Sequence, residues 1–226
     1  MPNGVTTSTV LSSTPSRALR EQFATPEQQR ETSTAGMWIF LMTEVMLFGG
    51  LFMAFSVYRI AHARAFDLGS NDMSIVLGSL NTAVLISSSF TMALSVHAAQ
   101  EGKTRRLAWF LGATIVIGAL FLGIKFTEYY LHYQDRKVPG VWFETNTPDA
   151  AGFQMFYVFY FLMTCLHALH MTVGLAILLT LLGMTLLGRF SREYHNPVVL
   201  TGLYWHFVDI VWVFLYAIFY LPGRHL

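Results

Sequence analysis

Charge is scarce in this chain. Asp, Glu, Lys and Arg make up 12% of its 226 residues, while 54% are hydrophobic. A soluble domain of this length carries about twice that charge, so a water-soluble globular protein is excluded. The net charge is only +1, which leaves no footprint for a polyanion and excludes nucleic acid as a partner. Cysteine is nearly absent. The single Cys165 excludes an intramolecular disulfide and a thiolate metal centre, and its apolar neighbours make it a small packing residue. The pattern Glu-x-x-His does not occur, which argues against a di-iron site in a helix bundle. His167 and His170 sit on adjacent turns, which is too close for the paired ligands of two membrane haems. Residues 1–35 lack the apolar core of a cleavable signal. They read as a polar tail, mostly mobile.

Five long apolar segments follow the tail. They run from about Gly36 to Tyr58, Met73 to Ala99, Arg106 to Tyr130, Phe153 to Leu187, and Pro197 to a stop before Pro222-Gly223. About 20 apolar residues at ~1.5 Å per residue span a bilayer core. The expected fold is therefore all-α: a bundle of five transmembrane helices in one domain, residues 36–226, behind the tail at 1–35. Asn71 or Asp72 is placed to cap the second helix and Asn196 the fifth. Gly49, Gly50 and Ala54, Ser87 to Ser89, and Ala119 with Gly123 are small residues that permit close helix contact. Tyr129, Tyr130, Tyr133, Trp142 and Phe143 suit an interfacial belt. Arg17, Arg20, Arg30, Lys103, Arg105, Arg106, Arg189 and Arg192 fall on one side of the membrane. Arg59, Arg64, Arg136, Lys137 and Arg224 fall on the other. That bias sets the N-terminus in the cytoplasm and the C-terminus outside.

The informative residues are the ionisable ones within the spans. The last segment, TGLYWHFVDIVWVFLYAIFY, carries His206 and Asp209, three apart and so on one face. Its aromatic surface, Trp212, Phe214 and Phe219, is expected to turn elsewhere. Glu44 falls ~12 Å into the first segment, and His206 and Asp209 ~13 and ~18 Å into the fifth, from the same side. His167 and His170 lie mid-segment in the fourth. Glu44, His167, His170, His206 and Asp209 are thus expected to form one buried polar layer. His97 and Glu101 at the end of the second segment, and Lys125 and Glu128 near the end of the third, read as lipid or interface residues. Lys125 and Glu128 are spaced for an ion pair. Two readings of the layer stand together. It is a proton or ion path, or a set of hydrogen bonds that fixes the bundle.

Five motifs in order carry a resemblance: TEVMLFGGLFMAF (Thr43–Phe55), VHAAQEG (Val96–Gly102), FTEYY (Phe126–Tyr130), HALHMTVG (His167–Gly174) and YWHFVDIVWVFLYAIFY (Tyr204–Tyr220). Over residues 36–222 the chain resembles the cytochrome c oxidase subunit III family of haem-copper oxidases, in its short five-helix bacterial form. The resemblance implies a multi-pass subunit of the bacterial inner (plasma) membrane with no redox centre of its own. Haem and copper would sit in partner subunits, and phospholipid would be bound. The partners implied are the catalytic subunit I, subunit II and a further small subunit. The implied role is to stabilise the catalytic subunit, bind lipids and sustain proton uptake in aerobic respiration. The family's buried glutamate maps onto Glu44, and its lipid-associated histidine and acidic turn onto His97 and Glu101. Its helix pairs map onto His167 with His170 and His206 with Asp209. Alternatives from related complexes are subunit III of a quinol oxidase and an accessory protein of a nitric oxide reductase. Alternatives of another class are an independent proton or ion channel and a b-type cytochrome.

Overall fold

The computed structural model describes residues 25–140, 143, 147–190 and 194–222. Every regular element among the described residues is a helix: α1 (Pro26–Ala61), α2 (Ala63–Asp72), α3 (Ile75–Gln100), α4 (Thr104–Gln134), α5 (Ala150–Leu186) and α6 (Asn196–Tyr220). All but α2 are long and apolar enough to cross a membrane, so the five expected spans are present. Residues 1–24, Trp142, Arg192 and Arg224 lie outside the described residues.

Boundaries differ from the apolar pattern where local signals override it. α1 starts at Pro26, not near Gly36. Thr25 Oγ1 accepts the Gln28 N–H at 3.1 Å, Pro26 fixes φ at the first turn, and Glu27 complements the positive end. The segment read as a loop after the first span holds α2. Its buried side is Ala65, Phe66, Gly69 and Ser70. Phe66 packs edge-on to Phe55 of α1 and Phe156 of α5. Asn71 and Asp72 therefore end α2, and Ser74 holds the cap of α3. Asn196 is the first residue of α6, and the His195 carbonyl before it accepts the Val198 N–H at 3.0 Å.

Two turns need glycine. After α3, Lys103 N–H reaches Ala98 C=O and Gly102 N–H reaches Ala99 C=O, both at 3.0 Å, with Gly102 at φ 72°. After α5, with Gly188 at φ 68°, Arg189 N–H reaches Met184 C=O and Gly188 N–H reaches Thr185 C=O, both at 3.0 Å. Both are Schellman ends, in which a left-handed residue satisfies the last carbonyls.

α6 is the centre of the bundle. It packs against α1, α2, α3 and α5, and its side chains reach α4. Trp212 and Phe219 are fully buried, which corrects the expectation that they face outward; only Phe214 of that trio is exposed. Trp212 meets Phe121 of α4 at 4.8 Å and Phe219 meets Tyr160 of α5 at 5.4 Å. The close approaches are also not at Gly49, Gly50 or Gly123, beside which a Cβ would meet nothing. They include Gly118 and Gly174, where a Cβ would stand 2.9 and 3.0 Å from the Trp205 indole. Cys165 is exposed, not packed.

Asp149 anchors the start of α5. One oxygen accepts the Gly152 N–H at 2.9 Å and the other meets His62 Nδ1 at 2.8 Å, which ties the α1–α2 corner to α5. The Gly152 N–H, then His62, hold its carboxyl below the usual range. A carboxyl lowered on folding contributes stability above its unfolded value of about 4, and that stability is lost as pH falls through the lower folded value. Hydrogen-exchange protection at Gly152 should therefore drop on acidification through that window, and Asp149→Asn should flatten the dependence.

Candidate functional site

The polar residues of the membrane interior do not converge on one point. Among the described residues, those expected in the polar layer, together with Lys125 and Glu128, fall into four clusters, each joining α5 or α6 to a neighbouring helix.

The first joins α1 to α5. His170 Nε2 meets Glu44 Oε2 at 2.9 Å, and His170 Nδ1 meets the Leu166 carbonyl at 2.8 Å. A carbonyl only accepts, so Nδ1 carries a proton. A second proton then lies between Nε2 and Glu44, on one or the other. The Phe48 ring stands edge-on to His170 at 5.4 Å, and Tyr204 of α6 donates to the His170 carbonyl at 2.9 Å.

The second cluster is His167, 1% exposed. Its ring lies between Phe121 at 5.7 Å and Trp212 at 5.3 Å, and neither nitrogen has a hydrogen-bond partner. Three residues along a helix is about 300° of rotation. The side chains of His167 and His170 diverge by the remaining ~60°, so they address different neighbours.

The third lies between α3 and α6. Ser89 Oγ meets His206 Nδ1 at 2.6 Å. Asp209, 6% exposed, stands beside them on a cleft.

The fourth was read as an interface pair and is not one. Lys125 is 1% exposed and Glu128 3%. Lys125 Nζ donates to Glu128 Oε2 at 2.9 Å, Tyr160 Oη at 3.0 Å and Tyr220 Oη at 2.7 Å. Both tyrosines in turn donate to Glu128 Oε1, at 2.8 and 2.5 Å. An ammonium has three donors and all three are used. The Trp212 ring adds a cation–π face at 4.9 Å. Burial is possible because the network is complete. Snorkelling to headgroups, which the sequence position suggested, is replaced by two tyrosines from α5 and α6. The expected ion pair itself is present.

His97 and Glu101 remain exposed at the end of α3, 3.6 Å apart. Lys103 pairs with Glu101 at 2.8 Å and holds its carboxyl below the usual range. The sequence does not single out His132, buried against Tyr157 and Tyr160, and offers Asp72 only as a cap, whereas it takes bonds from Lys137 at 2.7 Å and from Tyr157. Neither has a spacing signal, because their partners lie on other helices or loops. Among the described residues, no three His, Cys, Asp or Glu side chains surround one point as metal ligands would.

Comparison with known proteins gives a consistent result. The family described as Cytochrome c oxidase subunit III matches residues 27–224. The chain is 32% identical over 187 residues to Cytochrome c oxidase subunit 3 of Synechocystis, covering 82% of this chain and 74% of the relative. It is 29% identical over 189 residues to Cytochrome bo(3) ubiquinol oxidase subunit 3 of Pseudomonas aeruginosa, covering 83% and 84%. It is 28% identical over 200 residues to Quinol oxidase subunit 3 of Bacillus spizizenii, covering 87% and 92%.

Proposed function

This chain belongs to the cytochrome c oxidase subunit III family, and from that premise we propose that it is a non-redox accessory subunit of a proton-pumping haem-copper oxidase. It is a multi-pass membrane protein of an oxidase complex. Its place would be the bacterial plasma membrane, N-terminus inside and C-terminus outside, beside the catalytic subunit and subunit II. Haem and copper would belong to those partners. Its work would be to stabilise the catalytic subunit, hold phospholipid and support proton uptake. Similarity to relatives named for cytochrome c and for quinol is nearly equal, so the proposal is made for haem-copper oxidases as a class.

What supports the accessory role is how the intramembrane polar groups are used. Glu44 bonds α1 to α5, His206 bonds α6 to α3, and Lys125 with Glu128 bonds α4 to α5 and α6. Each tie is local, and each satisfies groups that would otherwise be costly in hydrocarbon. A relay would instead need successive groups within hydrogen-bond reach.

The test is to purify the oxidase from cells with and without this chain. Without it, haem content and initial oxygen consumption should persist, while activity should decay faster with turnover and subunit yield should fall. Unchanged stability, assembly and proton uptake would sink the proposal. So would complete loss of initial turnover with the haems intact.

A further inference from the structure

The α3–α6 cleft contains a polar group that the bundle leaves without a partner. Asp209 is 6% exposed, and neither carboxylate oxygen has a hydrogen bond that meets ordinary geometry. The Ser89 hydroxyl stands close enough to interact with the carboxyl. That hydroxyl has one proton and is already 2.6 Å from His206 Nδ1, so it serves at most one of the two oxygens. Among the described residues, the buried carboxylate Glu128 and the Glu44 carboxyl both find partners within the chain, and the unbonded His167 and His132 rings are packed against aromatic rings.

The cleft holds about 450 Å³, with Asp209 and His206 in its wall. Its outer rim is apolar and exposed: Ile86, Phe90, Ile210 and Val213. Asp209 comes 13 residues after Asn196, about 20 Å along a helix about 37 Å long. Lipid headgroups, roughly 15 Å away at either face of the hydrocarbon core, do not reach this depth. A carboxyl left bare there is costly. The missing group must donate at least one hydrogen bond, because a carboxyl accepts through its carbonyl oxygen whether ionised or protonated. It must also arrive through the membrane plane, because the rim is apolar.

We propose that the α3–α6 cleft is the docking site for a transmembrane helix of another oxidase subunit, which inserts a hydrogen-bond-donating side chain between Asp209 and His206. The inference rests on the chain being a subunit of an oxidase complex. The apolar rim would pack on the flanks of that helix, and the donor would satisfy the carboxyl that α3 and α6 leave bare. Burial of a donor against this carboxyl at mid-membrane makes the contact specific for register as well as for face.

The test uses the assembled oxidase with a photo-cross-linking residue at Phe90 or Ile210, and at Trp109 of α4 as a control outside the cleft. Illumination should join the Phe90 and Ile210 probes to another oxidase subunit. Asp209→Leu should cut that adduct about tenfold, as loss of one buried hydrogen bond would, while Asp209→Asn, which keeps an acceptor, should largely retain it. Should Asp209→Leu fail to assemble, the adducts in the otherwise native complex still decide. Adducts with lipid alone, or none, from a complex whose subunits co-purify normally would overturn the docking site and leave the subunit assignment standing. Failure of any oxidase subunit to co-purify would overturn both.

Discussion

Lys125→Met should destabilise the bundle by about 3–5 kcal/mol, the cost of leaving one partner of a buried ion pair uncompensated. The remaining Glu128 is 3% exposed and would keep only its two tyrosine donors. Glu128→Leu should be at least as damaging, because Lys125 is 1% exposed and its ammonium would keep only neutral hydroxyls. The double variant Lys125→Met/Glu128→Gln should recover most of the loss. It removes both charges, and the Gln carbonyl can still accept from Tyr160 and Tyr220. Thermal inactivation of the detergent-solubilised complex, read as a double-mutant cycle, gives the coupling. Additive single and double effects would mean that the pair does not act as a unit.

Trp205→Ala should have the largest effect of any aromatic truncation, about 3–5 kcal/mol. The indole is fully buried. Its Nε1 donates to Ser88 of α3 at 3.0 Å, and its six-membered ring lies against Gly118 of α4 and Gly174 of α5. One side chain thus joins four helices. Lipid tails are as apolar as the core, so most of this loss is packing and cavity formation rather than transfer from water. Trp109→Ala is the control. That side chain is 76% exposed and its removal should fall within about 0.5 kcal/mol. Gly118→Ala should also destabilise, because the ring at 2.9 Å has three helices holding it in place.

Hydropathy made the five spans legible, because length and apolarity alone decide what crosses a bilayer. The one hidden helix, α2, is short and amphipathic, with charges that break the apolar signal. Lys125 and Glu128 are paired as their spacing implied. Direction was not legible. Residues three apart share a face only to within about 60°, which is enough to send His170 to Glu44 and His167 to Trp212. The tyrosines that make Lys125 tolerable inside the bundle come from 35 and 95 residues away, and no local pattern announces them. Trp212 and Phe219 looked like lipid-facing aromatics because a membrane helix has no polar side to mark its exterior. Packing against α4 and α5 decides their side instead.

Initial oxygen consumption by the assembled oxidase carrying Lys125→Met/Glu128→Gln, followed by its decay over successive turnovers, is the most direct measurement. Charges that serve only to bind helices together should leave the starting rate close to that of the native complex, with any change confined to lifetime. A starting rate near zero, in a complex that retains this chain and its full complement of haem, would contradict the structural role assigned to the buried charges.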